Sequence, residues 1–259
     1  MKLGFIGMGN MATALARGFI ASGKVDAKDV AAYDPDVKKL QNMAAELGFA
    51  ALDSERAVAA YADIVVMACK PYHVQGAVEK MGQALIGKAV LSIALGWDFD
   101  RYKAILPAGT RVQFVMPNTP AMVGEGMFLF EAKNDLFFHE LDFLHALFAA
   151  IGEVETLDSS LMGIGGALSG CGPAFVDLLI EAFADAGVKY GLPRDKAIKL
   201  VSKTVAGSGA LQLKTGLHPG VLKDMVCSPG GSTIKGVAAL EQNGFRAAAI
   251  AAIEAIMKK

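Results

Sequence analysis

The stretch Leu3-Gly4-Phe5-Ile6-Gly7-Met8-Gly9-Asn10-Met11-Ala12 decides the fold of this 259-residue chain. Its first four residues form an apolar run that predicts a strand, and apolar residues then recur at helical spacing as far as Phe19. In the Gly-x-Gly-x-x-Ala turn between them, Gly7 permits a tight turn, Gly9 lets the backbone approach a pyrophosphate, and Ala12 allows close helix packing. The stretch therefore predicts a dinucleotide-binding turn, with a plain strand-to-helix turn as the alternative.

A second candidate cofactor residue is Asp34, which follows the next predicted strand, Val30 to Tyr33. A carboxylate at this place accepts hydrogen bonds from the adenosine ribose and favours NAD over NADP. Asp34 is also a common turn residue before proline. The nearby Lys38 and Lys39 offer charges for a 2′-phosphate, or simply a solvated helix face. The cofactor preference, NADPH or NADH, therefore stays open.

The first half of the chain continues to alternate strands with helices. Val37 to Leu47 is predicted to be helical, with Gly48 as its C-terminal stop. The later strands are predicted from three apolar runs: Ile64 to Ala68, Val90 to Leu95 and Val112 to Met116. This alternation predicts an α/β fold, a Rossmann-type doubly wound parallel sheet.

The pattern changes after about Thr156, and no strand is predicted from Asp158 onward. Long helices are predicted instead: Ala174 to Tyr190, a helix from Pro193 toward Leu213, and Arg246 to Met257. We expect a Rossmann domain over residues 1–156 and an all-helical domain over residues 157–259. The helices are apolar on more than one face, which favours a homodimer through the helical domain over a compact monomeric bundle.

Composition narrows the function classes. Hydrophobic residues make up 53% of the chain, so we expect a packed core. The 25 basic and 26 acidic residues give no charge pattern for nucleic acid or an anionic membrane. We expect no signal peptide and no membrane helix, because the apolar runs are short or broken by charges, Gly or Pro. Cys69, Cys171 and Cys227 are too dispersed for a disulfide framework or a zinc site, which favours a cytoplasmic protein.

Four further segments combine small residues, prolines and a nearby helix or strand end. They are Cys69-Lys70-Pro71, Met116-Pro117-Asn118-Thr119-Pro120, Ser169-Gly170-Cys171-Gly172-Pro173-Ala174-Phe175 and Val226-Cys227-Ser228-Pro229-Gly230-Gly231-Ser232-Thr233-Ile234. Helix capping and turn chemistry can explain any one of the last three alone. Lys70 stands after a strand, where it can contact a cofactor or cap the sheet edge.

Together with the glycine turn, these segments resemble the Δ1-pyrroline-5-carboxylate reductase family in the same order along nearly the whole chain. The chain has Cys171, Phe175 and Ser232 where the family usually has Ser, Tyr and Thr. Asp34 is a larger departure, because many members carry a polar or basic pair there.

The resemblance implies a Rossmann domain, a helical dimerisation domain and the last step of proline synthesis. In that step a nicotinamide dinucleotide reduces the C=N bond of 1-pyrroline-5-carboxylate. The implied cofactor-binding residues are Gly7, Met8, Gly9, Asn10, Met11 and Ala12 at the pyrophosphate, Cys69, Lys70 and Pro71 beside the cofactor, and Asn118 near the nicotinamide. The implied substrate-binding residues are Val226, Ser228, Gly231, Ser232 and Thr233.

The chemistry agrees with these assignments. The substrate carboxylate needs donors, and backbone N–H groups of Gly231 to Thr233 at a helix start can supply them. A protonated imine is already electrophilic, so hydride transfer mainly needs alignment and exclusion of water. We therefore expect no metal and no Ser-His-Asp set. Thr233 is the candidate catalytic residue, with its hydroxyl bonded to the ring nitrogen.

Two other functions remain as alternatives. A β-hydroxyacid dehydrogenase also joins a Rossmann domain to helices, but it uses a helical lysine, and the segment from Ala174 to Ala186 has none. A non-catalytic dinucleotide sensor fits the glycine turn and the dimer. It does not explain a second anion-binding segment from Ser228 to Thr233.

Overall fold

The computed structural model describes residues 1–258, and the chain divides into two compact units between Cys171 and Gly172. The strands of the first unit are β1 (Leu3–Ile6), β2 (Val30–Tyr33), β3 (Ala50–Ala51), β4 (Ile64–Met67), β5 (Ala89–Ser92), β6 (Arg111–Met116), β7 (Gly126–Glu131) and β8 (Gly152–Leu157). Its helices are α1 (Asn10–Ala21), α2 (Val37–Leu47), α3 (Glu55–Tyr61), α4 (Val74–Met81), α5 (Phe99–Lys103), α6 (Phe138–Ala149) and α7 (Met162–Ser169).

The eight strands form one sheet in the order β3-β2-β1-β4-β5-β6-β7-β8. Every pair from β3 to β6 is parallel, so the predicted doubly wound sheet is confirmed. The β7 strand departs from this pattern and pairs antiparallel to β6, with Val115 opposite Phe130. The connection between β6 and β7 is too short for a helical crossover, so the chain returns in the opposite direction. Helix α6 then carries it across to the parallel strand β8.

Helices cover both faces of the sheet, and this explains the continuous apolar strands. All four residues of β1 and of β4 are buried. On one face, Phe19 and Phe148 pack edge to face, with ring centroids 5.1 Å apart. On the other face, α3, α4 and the fully buried Tyr102 cover the strands. Because neither face meets water, the strands need no polar alternation.

A bidentate ion pair joins β6 to α6. The Nε atom of Arg111 donates to Oε2 of Glu140 at 2.8 Å, and Nη2 donates to Oε1 at 2.5 Å. The two side chains are 14% and 6% exposed. The Glu140 carboxylate holds the pKa of Arg111 above its usual value. The same carboxylate accepts the N–H of Phe137 at 2.9 Å, which caps the start of α6.

Helix α7 belongs to the first unit because two glycines let it approach the sheet closely. A Cβ on Gly165 would lie 2.6 Å from a methyl of Leu157, and a Cβ on Gly166 would overlap the sulfur of Met116. The division of the chain therefore falls after α7, later than the expected domain boundary between residues 156 and 157.

The second unit consists of helices α8 (Gly172–Lys189), α9 (Arg194–Thr215), α10 (Pro219–Met225), α11 (Ser232–Gln242) and α12 (Phe245–Met257). Helices α8, α9 and α12 agree with the three predicted helices to within a few residues. Gly187 of α8 allows a close approach to α9, since a Cβ there would lie 3.2 Å from Cβ of Ala197. Only Ala184 and Ala197 are buried among residues 172–258 of the single chain.

One segment of the described chain, Ser159–Lys189, is long and apolar enough to cross a membrane by length and composition alone. It includes α7 and α8, which are separate helices on either side of Gly170 and Cys171. A segment of this kind is weak support for a membrane span, because soluble proteins also contain apolar helices of this length.

Candidate active site

The glycine turn after β1 is held between two neighbouring strands. Gly7 has a φ of +91°, and a Cβ there would lie 3.0 Å from the backbone of Cys69. Its N–H donates to the carbonyl of Tyr33 at 2.8 Å. Both the left-handed conformation and the close approach of another chain segment therefore require glycine at this position.

Gly9 presents the opposite situation. Among residues 1–258, and apart from its neighbours in sequence, no atom lies within 4 Å of where its Cβ would stand, and its φ of −72° is open to any residue. It is the N-cap of α1, and no side chain caps the first N–H groups of that helix. These N–H groups and the helix dipole form an anion-binding site. The space before Gly9 therefore fits the pyrophosphate of a dinucleotide.

A cavity of about 580 Å³ opens in front of this turn. Its lining combines the glycine turn with residues that follow the carboxyl ends of β2, β4, β5 and β6. The lining residues are Gly7, Gly9, Asn10, Met11, Ala12, Asp34, Pro35, Ala68, Cys69, Lys70, Pro71, His73, Ile93, Ala94, Leu95, Thr119 and Met122. All predicted cofactor-binding residues except Met8 and Asn118 are among them.

Met8 lies in the core instead. Its side chain is fully buried, and only its backbone N–H takes part in the site, by donating to Oδ2 of Asp34 at 2.7 Å. Met8 therefore fixes the glycine turn through its buried side chain and its bond to Asp34. A hydrophobic side chain at this position fits that role, because it packs in the hydrophobic core.

Asn118 is engaged within the first unit and does not line the cavity. The residue is only 8% exposed. Its Oδ1 accepts the N–H of Met127 at 2.8 Å, and its Nδ2 donates to the carbonyl of Ser169 at 3.0 Å. The amide thus joins the loop after β6 to the start of β7 and the end of α7. The following residue, Thr119, lines the cavity in its place.

Cys69 and Lys70 lie at the end of β4 in different environments. Cys69 is half-buried, and burial raises the pKa of its thiol to about 11. The thiol is therefore neutral at physiological pH and adds no negative charge beside a phosphate. Lys70 is exposed and lines the cavity, where its ammonium group is available to an anionic ligand.

Most of the lining residues that sequence reasoning missed follow β5 and β6, while Pro35, Ala68 and His73 follow β2 and β4. Ile93, Ala94 and Leu95 come directly after β5, while Thr119 and Met122 come after β6. The carboxyl ends of parallel strands border the ligand crevice in doubly wound sheets. This rule pointed to Cys69 and Lys70 after β4, and its application to the next two strands would have found these residues as well.

In the second unit, the predicted substrate segment forms a tight turn before α11. The N–H of Gly231 donates to the carbonyl of Ser228 at 3.0 Å, with Pro229 and Gly230 between them. Gly230 has a φ of +71°, as a type II turn requires at this position. A Cβ on Gly231 would overlap the Ser228 hydroxyl, so any larger residue there would require that hydroxyl to turn away.

Helix α11 begins at Ser232 without a side-chain cap, so its first N–H groups are free for an anion. Thr233 stands in this first turn and is exposed, and its hydroxyl has no hydrogen-bond partner within residues 1–258. Over the same residues, no group of three or more His, Cys, Asp or Glu side chains is placed to hold a metal ion.

The strand order and the cavity define the class of a Rossmann-type dinucleotide-binding protein. The pyrroline-5-carboxylate reductase of Escherichia coli is 40% identical to the chain over 261 residues, covering 100% of the chain and 96% of the relative. That of Treponema pallidum is 38% identical over 261 residues and covers 99% of both. The chain therefore belongs to the pyrroline-5-carboxylate reductase family.

Models of protein families and solved structures agree. A model described as pyrroline-5-carboxylate reductase dimerisation matches residues 159–259, and one described as NADP oxidoreductase coenzyme F420-dependent matches residues 2–96. The structure of Plasmodium falciparum pyrroline carboxylate reductase with NADP bound is similar, with 32% identity, a TM-score of 0.89, and coverage of 99% of this chain and 95% of that one.

A second solved structure, a pyrroline-5-carboxylate reductase from Coxiella burnetii, aligns at 29% identity with a TM-score of 0.90. It covers 98% of this chain and 95% of the Coxiella chain. The predicted family, the fold class and the class of NAD(P)H-dependent oxidoreductase are confirmed by these matches. The chain also contains the dimerisation domain of the family.

Proposed function

We propose that the chain catalyses the reaction of its family, the reduction of 1-pyrroline-5-carboxylate to L-proline, with NADH or NADPH as the reductant. The observation that carries the proposal is a contrast between the two glycines of the turn. Gly7 is required by its left-handed φ and by the close approach of Cys69, whereas Gly9 faces only the cavity. When bound, the dinucleotide supplies the hydride. The free N–H groups of α1 bind its pyrophosphate, and Cys69, Lys70 and Pro71 flank it.

The substrate carboxylate binds to the backbone N–H groups of Ser232 and Thr233 at the uncapped start of α11. The N–H of Gly231, which we also expected to bind it, is already bonded to the Ser228 carbonyl and closes the turn instead. The turn from Ser228 to Gly231 supports this role, because it presents an uncapped helix start without any side chain in the way. Val226 and Ser228 contact the substrate ring from the same segment. Since these donors are fixed before the substrate arrives, they align the C=N bond at little entropic cost.

The Thr233 hydroxyl donates or accepts one hydrogen bond at the ring nitrogen and orients it during hydride transfer. Two features support this role: the hydroxyl is exposed and unpartnered within residues 1–258, and it stands in the same helical turn as the carboxylate donors. Asn118 contributes to the nicotinamide side by positioning the loop that carries Thr119, since its own side chain is already satisfied.

The helical unit forms a homodimer. Large apolar side chains are exposed along its helices in the single chain, among them Leu178 at 65%, Leu213 at 74% and Ile250 at 60%. Apolar area of this extent is rarely left in water and is typical of an interface. A partner copy would cover it, in keeping with the dimerisation domain that matches this part of the chain.

We place the enzyme in the cytoplasm, without nucleic-acid or membrane partners. Its 25 basic and 26 acidic residues are balanced, which supports a small-molecule enzyme. The three cysteines are free, as suits a reducing compartment. We attribute the apolar character of Ser159–Lys189 to two causes other than a bilayer. Helix α7 packs against the sheet of the first unit, and α8 contributes to the dimer.

Replacement of Thr233 tests the catalytic assignment. Thr233→Ala should lower kcat/KM for pyrroline-5-carboxylate by about tenfold to a hundredfold, because one hydrogen bond in the transition state is lost. Its affinity for the dinucleotide should stay at the wild-type value. Thr233→Ser should restore most of the activity, since it keeps the hydroxyl. Thr204→Ala is a matched control, because that hydroxyl bonds only to the Leu200 carbonyl of its own helix.

Three results would contradict parts of the proposal. Unchanged kinetics of Thr233→Ala would remove Thr233 from the site. Failure of the wild-type enzyme to oxidise either cofactor on addition of pyrroline-5-carboxylate would overturn the reaction and favour a dinucleotide sensor. Oxidation of 3-hydroxy acids by NAD or NADP instead would favour a β-hydroxyacid dehydrogenase.

A further inference from the structure

Asp34 lines the cavity at the position that contacts the adenosine ribose of a bound dinucleotide in doubly wound folds. It follows β2 directly, is half-buried, and lines the cavity together with Gly7 and Gly9. In doubly wound sheets, a side chain at the end of the second strand distinguishes a free ribose 2′-hydroxyl from a 2′-phosphate.

The carboxylate of Asp34 is fixed in place by two backbone donors. The N–H of Met8 donates to Oδ2 at 2.7 Å, and the N–H of Asp36 donates to Oδ1 at 2.9 Å. The first of these bonds ties the carboxylate to the glycine turn itself, so the side chain cannot rotate away from a ligand without releasing that turn. Each oxygen keeps a second lone pair, which remains available to ribose hydroxyl donors.

Positive charge for a 2′-phosphate is sparse on this side of the cavity. Among its lining residues, Lys70 after β4 is the only lysine or arginine. Lys38 and Lys39 are exposed on α2 and do not line it. Lys39 instead faces a neighbouring groove with Arg17, whose guanidinium is paired with Glu46 at 2.8 Å.

We propose that Asp34 makes this enzyme selective for NADH over NADPH. The 2′-hydroxyl and 3′-hydroxyl of NADH donate to the carboxylate, whereas the 2′-phosphate of NADPH brings negative charge against it. This selectivity differs from the NADP bound in the Plasmodium falciparum enzyme and from the NADP named in the family model of the first unit. The inference rests on the proposed function only in that the cavity holds a nicotinamide dinucleotide.

The test measures cofactor binding and catalysis separately on the full-length enzyme. Calorimetric titration with NADH and with NADPH gives the two dissociation constants without substrate. Steady-state assays with pyrroline-5-carboxylate then give kcat/KM for each cofactor. The wild-type enzyme should prefer NADH by about tenfold or more in both measurements, as expected for like charges a few ångströms apart in a partly solvated site.

Two variants assign the preference to the carboxylate. Asp34→Asn removes the charge at nearly constant volume and should reduce the NADH preference to about threefold or less. Asp36→Asn is the matched control. It removes a charge two residues away, lies outside the cavity lining, and keeps an N-cap side chain for the Lys39 N–H at the start of α2. Its cofactor preference should match that of the wild-type enzyme.

The outcomes separate the inference from the proposed reaction. Equal affinities, or a preference for NADPH in the wild-type enzyme, would overturn the inference, as would an unchanged preference in a folded Asp34→Asn variant. If that variant unfolds, the wild-type comparison of the two cofactors still decides. NADH-selective binding without any substrate-dependent oxidation would leave the inference standing and would overturn the proposed reaction.

Discussion

In the first unit, Phe5, Phe19 and Phe148 are fully buried around the sheet, whereas in residues 172–258 only Ala184 and Ala197 are buried within the single chain. The first unit has helices on both faces of its sheet, and its exposed large apolar side chains, such as Tyr72, Val123 and Phe138, are sparser along the chain than those of the second unit. The second unit has the helices α8 to α12 and, within its described residues, almost no interior of its own.

The difference shows that the two units depend on burial from different sources. Each Å² of apolar surface removed from water contributes about 25 cal/mol, so a unit that buries little cannot offset its loss of conformational entropy. The first unit obtains that burial within one chain. We expect the second unit to bury its apolar surface against a second copy of the chain. The same helices would then stabilise both the fold of the unit and the dimer.

The largest expected effect comes from breaking the ion pair that β6 and α6 bury in the first unit. Glu140→Ala should lower the free energy of unfolding by about 3 kcal/mol or more, because it leaves the Arg111 guanidinium without its partner at low exposure. The measurement is urea unfolding followed by the fluorescence of Trp97, the single tryptophan of the chain, which lies in the first unit.

The matched variant in the second unit is Asp185→Ala. The side chains of Asp185 and Arg194 are 60% and 50% exposed in the single chain, so loss of this pair should cost less than about 1 kcal/mol. A loss as large as that of Glu140→Ala would break the comparison. It would mean that the partner subunit buries the Asp185–Arg194 pair when the dimer forms.

A slightly smaller effect is expected from dilution. If association supplies the interior of the second unit, its stability should rise by about 2.3 kcal/mol as the protein concentration goes from the dimer dissociation constant to a hundred times that value. Circular dichroism at 222 nm, recorded together with sedimentation, follows this transition. Trp97 fluorescence is the internal control, since the first unit should unfold at a temperature that hardly changes with concentration.

A helical transition that does not depend on concentration would contradict this prediction and would favour the compact monomeric bundle. A Trp97 transition that shifts together with the helices would show instead that the first unit also needs the partner.

The sequence predicted the elements whose cause is local. The glycine turn, β1 and α1 follow from spacing, and the C-terminal stop at Gly48 follows from its left-handed conformation, with a φ of +82°. Strands β7 and β8 were not predicted. Most of β7 is buried and apolar, which does not distinguish a strand from a buried helix, and β8 is an exposed edge strand with alternating glutamates. Only the sheet as a whole specifies them.

The same limit applies to the candidate site. The turn pattern predicts why Gly7 and Gly9 are glycines, and it also predicts that Asp34 lies beside the cofactor. The role of Asn118 could not be predicted, because its partner Ser169 is 51 residues away in sequence and its partner Met127 lies in β7, a strand that was not predicted. For the same reason, the packing of α7 against the sheet could not be predicted, because it depends on contacts of Gly165 and Gly166 with Leu157 and Met116 that only the folded sheet provides.

The last of these effects concerns the end of the first unit and sharpens the comparison between the units. Asn118→Ala removes the side chain that ties α7 to the loop after β6, and it leaves the Met127 N–H and the Ser169 carbonyl without their partner. We expect a loss of about 2 kcal/mol in the Trp97 transition and faster hydrogen exchange throughout Met162–Ser169. Asn134→Ala is the control, because that side chain bonds only to the backbone of residues two positions away and should cost less than about 1 kcal/mol.

The conservative variant Asn118→Asp keeps the acceptor for the Met127 N–H and loses the donor to Ser169, so it should loosen α7 while β7 stays protected from exchange. This pattern would assign α7 to the first unit by its energetics as well as by its packing. If α7 in the wild-type enzyme exchanges at the rate of α8, and responds to protein concentration as the second unit does, the boundary belongs between residues 156 and 157. The first unit would then end with its last strand, and every helix after it would depend on the partner.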